Sequence, residues 1–122
     1  MKLQKLVYYS QAWSLVWDEA ELFPERIEAW ANGPVCPELY RAHQGEFTVT
    51  KEPRGVIANL TKVQKDTIDA VIKAYGKKPA SWLSDLTHRE SPWKDARKGL
   101  TDGARSNSVI TNAAMAEYYS DL

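Results

Sequence analysis

The densest run of reactive side chains in these 122 residues is Thr87-His88-Arg89-Glu90-Ser91-Pro92-Trp93, followed by Asp95. His88 and Glu90 could serve as an acid/base pair, or as two ligands of a metal awaiting a third. A structural role competes with that chemistry. The segment joins two helix-like stretches, so His88 can cap the outgoing helix while Glu90 supplies negative charge near the incoming N-terminus. The rest of the chain favours the structural role. It holds no phosphate-cradling glycine loop, no HExxH, no CxxC and no serine elbow. Cys36 is the only cysteine, set between Val35 and Pro37 without a nearby histidine or acidic partner. It reads as a buried or half-buried thiol, and a chain with one cysteine forms no internal disulfide, which suits a reducing cytoplasm. The expectation from these residues is a protein without catalytic, cofactor or metal residues, and not an enzyme.

Length and composition place these residues in a single domain, 1–122. With 43% hydrophobic and 26% charged residues the chain can close a core without a staple. Sixteen basic residues balance sixteen acidic ones, whereas a nucleic-acid binder draws its affinity from excess positive charge. A local cluster of Lys94, Arg97, Lys98 and Arg105 reads as a solvated face. No apolar run approaches the roughly 20 residues of a membrane span, and no signal peptide opens the chain. Five tryptophans and six tyrosines stand out. Each can fill a core or anchor a partner. Core placement is favoured for Trp13, Trp17, Trp30, Trp82 and Trp93, with at least one of the five expected at the surface.

The elements that must position these groups are mainly helical, in an α+β bundle of about five or six helices with a small β-hairpin after the first helix. Leu3, Leu6, Val7, Ser10, Trp13, Ser14 and Trp17 recur at helical steps from Lys2 to about Trp17, and Tyr8, Ala12, Leu15 and Val16 add a second apolar flank, so this helix is central. Leu22–Phe23 and Ile27–Trp30, on either side of Pro24, read as the hairpin or as two extended segments, and Asn32-Gly33-Pro34 as a turn. Pro37 starts a helix that runs through His43 to Gly45. Residues 47–59 read as a loop or edge strand and as the most mobile segment. Thr61-Lys62-Val63-Gln64 is a capping box opening a helix with Val63, Ile68, Val71, Ile72 and Tyr75 on its apolar side, ended by Gly76. Another helix carries Trp82, Leu83 and Leu86. Ser91 as N-cap and Pro92 at the first helical position open a short helix that ends at Gly99. After a polar loop, Thr111 caps a last helix, with Ile110 before it as a staple.

Three stretches, read in order, resemble one family. KLQKLVYYSQAWSLVW (residues 2–17) is similar to the opening signature of the SocA-like, or Panacea, antitoxin domain. LFPERIEAWANGPVCPELY (22–40) resembles its most distinctive block, and SWLSDLTHRESPWKDAR (81–97) a third, in which a Thr-His-x-Glu-x-Pro-Trp core joins two helices. The terminal ITNAAMAEYY fits the closing helix loosely. The resemblance implies an antitoxin of a two-gene toxin–antitoxin module, of the kind carried on phages and mobile elements, that neutralises a cognate toxin by direct protein contact and takes no small-molecule substrate or cofactor. With the lone cysteine and the absence of a signal peptide, the expected location is cytoplasmic. Candidate contact residues carried over from the matching blocks are Asn32, Gly33, Pro34, His88, Glu90 and Trp93, each of which also fits a role in holding the scaffold together. Two alternatives are a DNA-binding domain that regulates its own operon, disfavoured by zero net charge and the lack of a clear helix-turn-helix, and a small hydrolase using His88 and Glu90. Family members usually carry another helix before the KLQKL segment, which here follows Met1 directly. A first helix left uncovered in this way would promote self-association, so a homo-oligomer is a further expectation.

Overall fold

The computed structural model describes residues 2–42, 61–101 and 103–122. Helix α1 spans Lys2–Trp17, followed by strands β1 (Ile27–Trp30) and β2 (Gly33–Val35) and helix α2 (Pro37–Ala42). Helices α3 (Lys62–Tyr75), α4 (Ala80–Arg89) and α5 (Ser91–Ala96) follow, then β3 (Val109–Ile110) and α6 (Asn112–Ser120). The described residues are thus mainly helical, with one small antiparallel sheet ordered β2-β1-β3. The expected α+β class is what the structure shows. The proposed course to His43 and Gly45, and the 47–59 segment, lie outside the described residues.

Helix α1 is central, as its two apolar flanks predict, and touches α3, α4, α6 and β2. The face it buries differs from the expected stripe. Tyr8, Tyr9 and Ala12 go fully inside together with Gln4, Lys5, Ser10, Gln11 and Ser14, while Leu3, Leu6, Val7 and Trp13 are half-buried and Trp17 is exposed. The reason lies in the loops that α1 must hold, because buried backbone polar groups need partners. Gln11 Oε1 accepts from Leu22 N at 2.7 Å, and its Nε2 donates to Phe23 O at 2.9 Å. Ser14 Oγ donates to Ala20 O at 2.8 Å. Gln4 Oε1 accepts from Cys36 N at 2.9 Å, which fastens the end of the hairpin beside the buried thiol. Polar side chains on the inner face thus take the place of a strand partner for irregular backbone.

The hairpin is real, but its second strand is Gly33–Val35, so Gly33 and Pro34, expected in the turn, belong to a strand. Glu28 faces Val35, Ala29 faces Pro34 and Trp30 faces Gly33, so the connection is Ala31–Asn32. Leu22–Phe23 forms no strand. Proline is tolerated in β2 because this strand lies at the sheet edge, where one row of N–H groups has no ladder partner. Strand β3 was not expected. Ile110 pairs with Ile27 and Val109 with Glu28, and Ala29 N donates to Ser108 O at 2.8 Å. Two residues are too few to show alternation, and Ile110 was read only as a helix staple.

The remaining starts follow local rules. Thr61 makes both bonds of its capping box with Gln64. Of the apolar side expected for α3, Val71 is fully buried and Tyr75 stacks on Tyr9, whereas Val63 and Ile72 are exposed. Thr111 caps α6 through Ala114 N. For α5 the N-cap is Glu90, extended at φ −94° and ψ 142°, so Ser91 and Pro92 are already helical. The boundary moves because Lys94 N reaches Glu90 O, at 3.2 Å. This helix ends at Ala96, and Gly99 follows with a positive φ of 90°.

Gly33 carries the tightest steric constraint in the hairpin. Its φ is 129°, and a Cβ there would lie 2.5 Å from Lys5 Cε and 3.3 Å from Thr87 Oγ1. Gly33→Ala should therefore lower unfolding free energy by about 1–3 kcal/mol. Urea denaturation measures this, and an unchanged midpoint would show that the turn needs no glycine.

Candidate functional site

Two segments far apart in sequence, the hairpin and the α4–α5 joint, meet in one place. Trp93 Nε1 donates to Trp30 O at 2.8 Å, and Ser84 Oγ donates to Asn32 O at 2.8 Å. His88 stacks on Trp93, with ring centroids 4.0 Å apart and 11° between planes. The Arg97 guanidinium lies 5.2 Å from the Trp93 ring centroid and donates to Ala29 O at 3.0 Å and Ala104 O at 2.7 Å. The junction thus ties the turn of the hairpin to two helices through main-chain oxygens. Arg97 is spent inside it and is 6% exposed, so the basic cluster read as a solvated face loses one of its four members.

Of the six candidate residues, Asn32, Gly33, His88 and Trp93 come together here. Asn32 is exposed, and His88 and Trp93 are half-buried. Gly33 is buried against Lys5 and Thr87, and Pro34 is fully buried opposite Ala29. Glu90 turns to another environment. Its Oε1 accepts from Tyr9 OH at 2.6 Å and from Tyr119 OH at 2.8 Å, and Tyr119 shares a further hydrogen bond of 2.9 Å with Tyr8. This carboxyl is 6% exposed, and burial pushes its pKa up despite the two hydroxyl donors that favour the charged form.

The electrostatics do not assemble an acid/base pair from His88 and Glu90. Burial lowers the His88 pKa, the Asn32 backbone opposes that shift, and the Lys5 charge lowers it further. Its Nε2 is buried with no hydrogen-bond partner among the described residues. Lys5 itself is 1% exposed, and burial lowers its pKa to about 8. Among the described residues there is no group of three or more His, Cys, Asp and Glu side chains able to hold a metal ion. No helix among them is long and apolar enough to cross a membrane.

Sequence reasoning did not single out Tyr9, Tyr119, Lys5 or Arg97 as partners of these residues. The tandem Tyr8-Tyr9 and Tyr118-Tyr119 were the available signal, since a buried hydroxyl requires a partner and Glu90 is the nearest acceptor in this interior. Lys5 and Arg97 carried no such mark, because a charged residue on a helix is ordinarily solvated.

Beyond the junction an open cleft of about 810 Å³ runs beside the hairpin, walled by Trp30, Tyr40 and Val35 and by residues 105–107. Trp30 and Tyr40 meet edge to face at 5.0 Å, and Trp30 Nε1 donates to Glu28 Oε1 at 2.9 Å, so the aromatic wall is already fixed in place. Tyr40 is 40% exposed. Trp17 and Trp82, exposed elsewhere on the surface, depart from the expected core placement of the tryptophans.

The fold and this junction together define a mainly helical α+β domain whose chemistry-bearing residues act as internal fasteners. The chain belongs to the SocA-like antitoxin family, since the model described as "Antitoxin SocA-like, Panacea domain" matches residues 3–94. No curated protein and no solved structure matches the chain.

Glu90 offers a direct test of the fastening. Glu90→Ala leaves two buried hydroxyls without their acceptor and should cost roughly 2–5 kcal/mol. Glu90→Gln keeps an acceptor and removes the charge. A carboxyl whose pKa is raised in the folded state binds its proton more tightly there than when unfolded. Its contribution is therefore most favourable at low pH and declines as pH rises through the raised value. Relative to wild type, Glu90→Gln should gain stability as pH climbs above 4.5, the group's ordinary value. Unfolding free energies at several pH values check this, and a difference independent of pH would contradict it.

Proposed function

We propose that this domain neutralises a cognate protein toxin by direct protein–protein contact. The observation that carries this reading is the family match, which spans residues 3–94 and includes both the hairpin and the α4–α5 joint. The arrangement of the side chains supports it. Glu90 and Arg97 are occupied with tyrosine hydroxyls and main-chain oxygens, while exposed Asn32 and the aromatic wall of Trp30 and Tyr40 stand on the hairpin side of the molecule. Aromatic groups fixed before binding lose little freedom when a partner covers them, so a rigid scaffold of this kind suits recognition. In this reading Gly33, Pro34 and Glu90 act by holding the contact surface in shape, and Asn32, His88 and Trp93 lie at or just behind it.

Co-expression is the test. The protein encoded beside this chain's gene should arrest growth when expressed alone, and should be harmless and co-purify when this chain is present. Rescue without any physical association would contradict neutralisation by contact, and a neighbour with no toxicity would remove the toxin from the account.

A further inference from the structure

The cleft beside the hairpin has an uneven charge lining. On one side Glu28 is already engaged: its Oε2 pairs with Arg26 Nε at 2.6 Å and its Oε1 accepts from Trp30 Nε1. Arg26 also reaches Glu38 at 2.9 Å. On the other side Arg105 is exposed and lines the cleft without an ion-pair partner among the described residues. The lining also includes Trp30, the exposed Tyr40 and the buried Val35. The cleft is open, and its volume of about 810 Å³ leaves room for a short chain segment.

We infer that this cleft receives a short segment of the partner protein in which an apolar side chain neighbours an acidic one. The apolar side chain lies against Trp30 and Tyr40, and the carboxylate pairs with Arg105. The occupant's polarity follows from the lining. A basic residue would face an unpaired guanidinium, whereas Glu28 already has Arg26 and gains little from a second cation. A guanidinium also offers two parallel N–H donors to a carboxylate, which fixes orientation as well as charge. This inference rests on the reading of the domain as a protein-binding antitoxin and adds the chemistry of what it binds.

The probes are three acetylated, amidated peptides: Gly-Leu-Asp-Gly, the same peptide with Lys in place of Asp, and the same peptide with Ala in place of Leu. Each is titrated into the isotope-labelled full chain and followed by the NMR signals of the five indole N–H groups. The Leu-Asp peptide should shift the Trp30 indole and leave those of Trp17 and Trp82 in place. Each altered peptide should bind about tenfold more weakly, the factor expected for loss of one modest contact. Arg105→Glu should invert the preference, so that the Lys peptide binds better than the Asp peptide. Circular dichroism confirms that this surface variant stays folded. Equal binding of the Asp and Lys peptides, shifts confined to Trp17 or Trp82, or no shift with any peptide would each overturn the inference. Toxin rescue by co-expression is read separately, so the antitoxin reading can survive a failure here and can fail without these peptides.

Discussion

One buried carboxyl, that of Glu90, organises the interior. It accepts hydrogen bonds from Tyr9 on α1 and Tyr119 on α6, while its own backbone forms the N-cap of α5. Burying this group is unfavourable, and the hydroxyls that meet it offset the cost only when all three elements are in place. The tyrosines carry the apolar side of the same arrangement. Tyr9 stacks on Tyr75 of α3 at 4.4 Å, and Tyr8 and Tyr119 meet edge to face. Helices from both ends of the chain therefore close on one polar atom. The family match ends at residue 94, yet Tyr119 completes the network, so α6 belongs to the same folding unit.

The same principle recurs at the junction behind the hairpin. Arg97, Trp93 and Ser84 each deliver a side-chain donor to a main-chain oxygen of the segment from Ala29 to Asn32. A two-stranded hairpin is at best marginal by itself, and here helices satisfy the backbone that a longer sheet would otherwise pair. The proposed contact function draws on this rigidity. A hairpin held from behind presents Trp30, Asn32 and the neighbouring Tyr40 in a fixed arrangement, so partner binding need not order them first.

Features governed by neighbours along the chain were legible in the sequence. The capping box at Thr61, the proline starting α2, the cap at Thr111 and the central position of α1 all depend on residues within one turn of each other. Features governed by distant partners were not. Asn32-Gly33-Pro34 reads as a turn until Trp30 and Ala29 are seen opposite Gly33 and Pro34, and Val109–Ile110 gains its strand character from β1. The six candidate site residues were found through family blocks rather than through chemistry. The structure shows what two of these types do here: a glycine clears Lys5 and an indole reaches Trp30 O. Trp13 and Trp93 pack against the core as expected, while Trp17 and Trp82 reach the surface, where at least one of the five was expected; the tyrosines, which bring both a ring and a hydroxyl, fill the centre next to a carboxyl.

The most direct test of this account is native-state hydrogen exchange on Tyr119→Phe, which deletes the hydroxyl shared with Glu90 and Tyr8. If the buried carboxyl unites the domain, the slowest amides of α1, α4 and α6 will lose protection together and by the same free energy. If only α6 amides exchange faster while those of α1 and α4 keep their protection, the last helix is an appendage, and the central place given to Glu90 is wrong.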